Sequence, residues 1–421
     1  MPPADAGPAR PRGAVAAELV PDVRLSPLQR RTLLDDVYQD VVRHYYDPTL
    51  RQVPLGALRR QYLARVDAAP TTASVYQVLD EFVGQLADAH TRVRSPLERQ
   101  LRERHQSLSL GIALQDLGST IAVSRVVSDE ARAAGLMPGD RLVAIDGQSV
   151  DELLAQALRS EPSSSTRASR LLALRGVIRH AAAQPRLTVE RLDGTRVDAV
   201  LTRTVVDQPP RVTVAREDEV LVLGWNQFRG PIRATVAAAL RTHAEARAVV
   251  VDLRGNGGGS LQEALAIADL FTPHRLPFGR QVARAGASRL RRVPSSSEGN
   301  FDGPLVILVD AASASASETF AAALQEAGRA VVVGETTCGC VLVTTSPRPL
   351  PGGGELSVSE YDYFTPAGRR LEGQGVRPDW PVRVTRDDLA AGRDPARDAA
   401  LATARELVAR ASTGRPHTPA P

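Results

Sequence analysis

The sequence predicts an α/β fold with a largely parallel sheet, preceded by a helical region and a β-rich module. In the second half of the chain, apolar runs such as "ARAVVVD", "PLVILVD" and "RAVVVGE" alternate with helical segments of about 10 to 15 residues. Strands that are apolar throughout and separated by helices are typical of parallel sheets covered on both faces. Before residue 207, short strands with Gly or Asp-Gly turns indicate a compact β module.

Changes in composition divide the chain into parts. Ser26 is a candidate helix cap before "PLQRRTLLDDVYQDVVRH", and "TTASVYQVLDEFVGQLADAH" has the spacing of a second amphipathic helix. Two polar stretches, 159–170 and 279–303, are predicted to be loops. The predicted parts are a flexible lead over 1–24, a helical region over 25–104, a β module over 105–206, an α/β core over 207–395, and a helix with a tail over 396–421.

Composition argues against several classes of partner. The chain has 52 basic and 48 acidic residues and a net charge of +4, and every basic residue is arginine. These charges are spread along the chain, and only 4% of residues are aromatic, whereas a nucleic-acid site needs a clustered basic surface. No apolar stretch approaches the about 18 residues of a membrane span, so we expect no integral membrane segment. No secretory signal is visible in the sequence as written, which favours a cytoplasmic protein.

The chain has two cysteines, Cys338 and Cys340, separated by Gly339 alone. Cysteines so close in sequence are not expected to reach disulfide geometry. No quartet of ligands for a structural zinc is apparent either. The sequence therefore predicts neither a disulfide nor a metal site.

A glycine-rich turn, "GNGGGS" at residues 255–260, follows the strand "AVVVDLR" and precedes a helix. Such a turn presents free N–H groups at a helix N-terminus, where a phosphate or a developing oxyanion can bind. The alternative is structural, since glycines also serve turns that need positive φ. The loop lacks the lysine of a phosphate-binding Walker motif.

A second turn, "DAASASASETF", places Ser313, Ser315 and Ser317 at the start of the next helix. Helix capping explains serines at such positions without any chemistry. However, consecutive strand-to-helix turns of a parallel sheet face each other at one edge. A serine at a helix tip would there meet a ring of glycine amides, as acyl transfer requires.

Three segments, "VVVDLRGNGGGSLQEALAIADLF", "PLVILVDAASASASETFAAALQEAGRAVVVGETT" and "YFTPAGRRLEGQGVRPD", resemble the carboxyl-terminal processing serine peptidases and their tricorn-like relatives, family S41. The segment starting "GIALQD" is similar to the PDZ domain of these proteins, and "LADAHTRVRSP" is similar to the motif that precedes it. The resemblance implies a βα core of the ClpP/crotonase type with an inserted PDZ-like module. It also implies a polypeptide substrate, unfolded or with an exposed C-terminus, and no cofactor.

The resemblance implies that Ser315 is the nucleophile, supported by Glu318. In the processing peptidases the general base is a lysine about 25 residues after the serine, and here that position is occupied by Cys340. A thiol does not replace a deprotonated amine beside serine, and the chain contains no lysine at all. The proton acceptor must therefore come from elsewhere.

Tricorn-like relatives use a histidine and a glutamate instead, and both positions are filled here, by His90 and Glu372. An imidazole accepts the serine proton near neutral pH, and a carboxylate holds its tautomer and stabilises its charge. The relay serine that precedes the histidine in tricorn is Ala89 here, which departs from that pattern. His90 is expected at a helix end, where a capping or surface role is the alternative.

The resemblance also assigns backbone donors. The N–H groups of Ala316 and Gly258 would bind the oxyanion. Leu110, Gly111 and Ile112 would receive a peptide C-terminus as an added strand. The alternative for this module is a packing role alone.

The sequence thus favours a serine endopeptidase with Ser315, His90 and Glu372 in the site. The alternative is a catalytically inactive protein of the same fold that binds a peptide or a small apolar ligand, which Ala89 and Cys340 favour. The resemblance allows a periplasmic or secreted location as well as a cytoplasmic one. The oligomeric state stays open.

Overall fold

The computed structural model describes residues 24–160, 162–272, 275–294 and 301–413. The predicted flexible lead, apart from its last residue, and the end of the C-terminal tail lie outside the described residues.

The N-terminal region is helical, as predicted, and Ser26 caps its first helix by accepting the N–H of Gln29 at 3.3 Å. The second and fourth helices were not predicted. The predicted segment ending at His90 is helical only as far as Gly84, so His90 lies in a loop. The elements are α1 Pro27–His44, a 3-10 turn Leu50–Gln52, α2 Leu55–Ala68, α3 Thr72–Gly84, β1 Arg92–Arg94 and α4 Pro96–Glu103.

The following module contains both strands and helices. Its elements are β2 Gln106–Ser109, β3 Ile112–Asp116, β4 Ile121–Val126, α5 Asp129–Ala133, β5 Arg141–Ile145, β6 Gln148–Ser149, α6 Val150–Ser160, α7 Thr166–His180, β7 Arg186–Glu190, β8 Arg196–Val200 and β9 Thr204–Asp207. Its sheet has the order β3-β4-β5-β7-β8, with β6 on β5. The first and last strands, β2 and β9, pair with each other, so the chain enters and leaves the module at one place.

The predicted loop at 159–170 is wrong, because most of it belongs to α6 and α7. The serine-rich run caps a helix instead of forming an irregular loop: Ser165 accepts the N–H of Ala168 at 3.0 Å. The β module therefore carries two long helices that composition alone did not indicate.

The α/β core has the predicted architecture. Its elements are β10 Val212–Glu217, β11 Val220–Trp225, α8 Ile232–Thr242, β12 Ala248–Asp252, α9 Leu261–Ala268, a 3-10 turn Asp269–Phe271, β13 Pro277–Ala283, β14 Ser288–Arg292, β15 Leu305–Val309, α10 Ala316–Glu326, β16 Val331–Gly334, β17 Val343–Thr344, β18 Arg348–Pro349, β19 Glu355–Ser357, β20 Ser359–Phe364, β21 Trp380–Pro381, α11 Arg386–Ala390 and α12 Pro395–Ser412.

The main sheet has the order β10-β11-β12-β15-β16-β21. Neighbouring strands from β11 to β21 are parallel, and only β10 is antiparallel to its neighbour. The helices α8, α9 and α10 cover one face, and α12 covers the other. Both faces are buried, which explains why the strands are apolar along their whole length.

The predicted loop at 279–303 is also wrong over its first half. β13 and β14 form an antiparallel hairpin, and β13 pairs with β20 on its other side. Along β13, Phe278 and Gln281 are buried while Arg280 is exposed. Many polar residues concealed this partly alternating burial.

The N-terminal region is joined to the core by a shared sheet. β1 pairs with β19, with Val93 opposite Leu356, and Leu356 lies in the same buried cluster as the helices α1 to α3. The loop between α3 and β1, which carries His90, is thereby fixed to the core.

Candidate active site

The glycine-rich and serine-rich loops lie side by side, as the two motifs predict. β12 and β15 are parallel neighbours, with Val249 opposite Leu305, so the loops after them share one edge of the sheet. A backbone hydrogen bond joins the loops directly, since Ala314 N–H donates to the Asn256 carbonyl at 3.0 Å.

The three serines of the second loop have different surroundings. Ser313 and Ser317 are fully buried and tie the two loops together. Ser313 Oγ donates to the Leu253 carbonyl at 2.8 Å, and Ser317 Oγ donates to the Asn256 carbonyl at 2.9 Å. Ser315 is only half-buried and has a φ of +54°. Capping and packing thus account for two of the serines and leave Ser315 distinct.

The backbone of Ser315 is strained. A non-glycine residue at positive φ costs about 1–3 kcal/mol and persists only where its surroundings fix it. Here the Ser315 N–H donates both to the Cys340 carbonyl at 2.9 Å and to the Glu318 carboxylate at 3.0 Å. Strain of this kind concentrates at functional sites.

Glu318 connects the serine loop to the segment that follows β16. Its buried carboxylate accepts from Thr337 Oγ1 at 2.6 Å, from Gly339 N–H at 2.7 Å and from Cys340 N–H at 2.9 Å, in addition to Ser315. Burial raises its pKa, and these donors oppose the rise. The carboxylate holds the two loops against each other.

Cys338 and Cys340 form a disulfide, so the prediction that they do not is wrong. Their Cα atoms are 5.3 Å apart, which falls within the usual range for disulfides. The intervening Gly339 has a φ of +74°, a conformation that brings both side chains to the same side of the turn. Both cysteines are buried, and Cys340 faces the serine loop through its main-chain atoms.

The two predicted oxyanion donors differ. A Cβ added to Gly258 would lie 2.8 Å from Ser315 Cβ and 2.9 Å from Ala316 N, so the glycine loop touches the helix tip. However, Gly258 N–H donates to Asn256 Oδ1 at 2.9 Å in this structure, so its role as an oxyanion donor stays a prediction. For Ala316 N–H, the first amide of α10, the described residues offer no acceptor.

His90 lies in the loop between α3 and β1. Its N–H donates to Asp88 Oδ1 at 2.8 Å, and its Nδ1 is buried with no hydrogen-bond partner among the described residues. Burial lowers the pKa of His90 below its usual value, against the opposing effect of Asp88. The preceding Ala89 packs against the disulfide, as Ala314 does, which brings the His90 loop next to the serine loop.

Glu372 follows β20 and is 3% exposed. Its Oε2 accepts from Val341 N–H at 2.9 Å, while its Oε1 has no hydrogen-bond partner in the described part of the chain. The pKa of Glu372 is raised to about 7, mainly by burial and to a smaller extent by the negative charge of Asp88. The carboxylate is therefore poised to change protonation near neutral pH.

The structure brings these residues into one region without joining them all. Within the described residues, no hydrogen bond connects Ser315 to His90 or His90 to Glu372. Asp88 acts on the pKa of both His90 and Glu372, and sequence reasoning missed it. The sequence feature that could have identified Asp88 is its position two residues before His90, in "ADAHT".

The predicted peptide-binding backbone is partly occupied. Gly111 has a φ of +72°, and its N–H donates to Ser109 Oγ at 3.0 Å, so its role in binding a peptide stays a prediction. Leu110 is buried, and Ile112 begins β3, which lies at the end of its sheet. β3 is therefore an edge strand of its sheet.

In the described ranges, no group of three or more His, Cys, Asp and Glu side chains is arranged to hold a metal ion. Those ranges also contain no helix that is both long and apolar enough to span a membrane.

Residues 219–382 match peptidase family S41, and residues 26–84 match the tricorn protease C1 domain. The carboxyl-terminal-processing protease of Picosynechococcus sp. is 28% identical over 357 residues, which cover 82% of each chain. The chloroplastic C-terminal processing peptidase of Tetradesmus obliquus is 27% identical over 82% of this chain and 75% of the relative.

Two solved structures share the fold. Mature CPAF has a TM-score of 0.72 at 14% identity and covers 91% of this chain and 98% of its own. The photosystem II D1 C-terminal processing protease has a TM-score of 0.56 at 22% identity, with 84% and 93% covered. The fold and the matched regions define a serine-type peptidase. The similarity to peptidase family S41 lies in the α/β core, residues 219–382.

Proposed function

We propose that this peptidase is an endopeptidase for unfolded or C-terminally exposed polypeptides, with Ser315 as nucleophile, His90 as general base and Glu372 as the residue that orients His90. The conformation of Ser315 carries the assignment, because it combines a half-buried side chain with a φ of +54° at the tip of α10. The names of the relatives, which are carboxyl-terminal-processing proteases, support the substrate class.

In the proposed reaction, His90 takes the hydroxyl proton while Ser315 Oγ attacks the scissile carbonyl carbon. The oxyanion that forms accepts a hydrogen bond from the N–H of Ala316, which stabilises the negative charge at the helix tip. His90 then gives the proton to the departing amine, and water hydrolyses the acyl-enzyme with His90 again as base. The lowered pKa of His90 favours the neutral imidazole that the first step needs. Because catalytic hydrogen bonds are often long without substrate, we expect Ser315 and His90 to approach each other when substrate binds.

The substrate's C-terminal segment is proposed to bind the PDZ-like module by adding a strand to the edge of β3, since β3 ends its sheet and edge strands accept peptides through main-chain hydrogen bonds. The test is the fluorescence anisotropy of labelled peptides that have a free or an amidated C-terminus, using Ser315→Ala to prevent cleavage. Tighter binding of the free acid is expected. Equal binding of the two peptides, or none, would leave the module a packing role.

A second candidate is a binding protein without catalysis. It is favoured by the bond from Gly258 N–H to Asn256 Oδ1 and by the lack of a bond between Ser315 and His90 in the described part of the chain.

Labelling with a fluorophosphonate, followed by peptide mapping, separates the two candidates. We expect the label on Ser315 in the native chain, none in Ser315→Ala, and strongly reduced labelling in His90→Ala. A folded native protein that takes no label and cleaves no casein would support the binding protein.

A further inference from the structure

The segment between α6 and α7 of the inserted module reaches into the site. Ser164 lies in this segment and is 8% exposed. Its Oγ accepts the N–H of Ala89, the residue before His90, at 3.1 Å. The module thus holds the backbone of the loop that carries His90.

Ser164 also faces Glu372. Its hydroxyl lies close enough to the carboxylate to lower the pKa of Glu372, although no hydrogen bond joins the two side chains in the structure and Glu372 Oε1 stays without a partner among the described residues. A serine hydroxyl accepts and donates at the same time. Ser164 therefore has a proton to give, and Glu372 Oε1 is a buried acceptor beside it.

Neighbouring contacts fix where Ser164 sits. Ser165 Oγ donates to the Cys338 carbonyl at 2.5 Å, and Arg167 Nε donates to the Thr337 carbonyl at 2.8 Å. A Cβ added to Gly373, next to Glu372, would lie 3.2 Å from the Ser164 carbonyl oxygen. The start of α7 is thus hydrogen-bonded to the loop that carries the disulfide, and Ser164 packs against the loop that carries Glu372.

We propose that Ser164 is a positioning residue of the active site: by accepting from Ala89 N–H and donating to Glu372, it sets the Glu372 carboxylate relative to His90. The inserted module would then supply part of the machinery that orients the base. This inference rests on the proposed roles of His90 and Glu372.

Other groups around Glu372 would be unaffected by removing the Ser164 hydroxyl. Asp88 raises the pKa of Glu372 and Arg370 lowers it. The Tyr46 phenol also interacts with this carboxylate, and Asp88 acts on His90 as well. A change of Ser164 to alanine leaves these groups in place, so the loss of one donor to Glu372 should raise the pKa of that carboxyl.

The test compares Ser164→Ala with Ser163→Ala and Ser164→Thr. Ser163 is the matched control, because it is equally buried and its Oγ has no hydrogen-bond partner in the described ranges. Turnover of a short chromogenic peptide is measured from pH 5.5 to 9.5. In Ser164→Ala, the loss of a hydrogen bond to a charged group should raise the pKa of Glu372 by about one unit, so kcat at pH 7 should fall about fivefold with KM unchanged. The acid limb should move up by about one pH unit, with activity recovering near pH 9. Ser163→Ala should match the native protein, and Ser164→Thr should keep most activity.

A loss in Ser164→Ala that is the same at every pH, or no loss at all, would overturn the inference. A readout without turnover is the 13C NMR titration of the Glu372 carboxyl in glutamate-labelled protein, assigned through Glu372→Gln. Its pKa should rise in Ser164→Ala and stay unchanged in Ser163→Ala. If the native protein neither cleaves nor takes the fluorophosphonate, the proposed function fails, and this titration still decides whether Ser164 donates to Glu372; an unchanged pKa refutes it.

Discussion

Replacing Glu372 with glutamine should stabilise the protein, and the gain should depend on pH. The side chain is 3% exposed, and one of its oxygens has no partner among the described residues. Burial, and next Asp88, raise its pKa from 4.5 to about 7. The folded protein therefore carries this carboxylate at a cost, and an uncharged amide of the same shape removes that cost.

The magnitude follows from the pKa. At about 1.4 kcal/mol per pH unit, the rise corresponds to about 3 kcal/mol. Below about pH 4.5 the carboxyl is protonated in both the folded and the unfolded chain, so it does not lower the free energy of unfolding of the native protein. Between pH 4.5 and 7 the folded state holds more protons than the unfolded state, so its stability falls as the pH rises. Above pH 7 the full cost remains.

The assay is urea denaturation followed by circular dichroism at pH 4.5, 7 and 8.5. The free energy of unfolding of Glu372→Gln minus that of the native protein should be near zero at pH 4.5 and reach about 3 kcal/mol at pH 8.5. Glu152→Gln, an exposed position on α6, is the control and should show no such trend. A difference that stays constant with pH, or that favours the native protein at pH 8.5, would refute the reasoning.

Three further outcomes are expected. Gly258→Ala should lose its activity and about 2–3 kcal/mol of stability, because the added Cβ would lie 2.7 Å from a carbonyl oxygen of the serine loop at a φ of +97°. Gly257→Ala, which has open space around the added Cβ, should lose little. Equal losses in the two variants would contradict this reasoning. Cys338 and Cys340 should give no reaction with Ellman's reagent in the denatured protein and two thiols after reduction. The kcat/KM profile should fall as the pH drops through about 7, where Glu372 takes up a proton, and a profile flat from pH 5 to 9 would exclude that assignment.

The α/β core was predictable because its signal is local and repeated. Continuous apolar strands such as Ala248–Asp252 and Leu305–Val309 indicate a sheet buried on both faces. Parallel neighbours then bring the loops that follow them to the same edge, so the meeting of the glycine and serine loops follows from the order of elements alone.

The rest of the site depends on contacts that a linear pattern does not contain. Ser164 and Ala89 are 75 residues apart, and nothing in "EPSSSTRAS" separates the serine that bonds to the His90 loop from Ser163, which bonds to nothing through its Oγ in the described ranges. The predicted absence of a disulfide is wrong because short spacing does not exclude the bond when a glycine at positive φ lies between the two cysteines.

Position 340 shows why the proposed base lies in a distant segment. The Cys340 carbonyl accepts from Ser315 N–H, and the Cys340 N–H donates to Glu318. Both bonds are made by main-chain atoms, so they are available whichever residue stands there. The side chain, in contrast, is buried in the disulfide and offers no group that accepts a proton. The main chain at position 340 thus holds the strained serine in place, but the side chain there cannot act as a base. The proposed proton acceptor must therefore come from another segment. The loop that carries His90 packs against this same disulfide through Ala89.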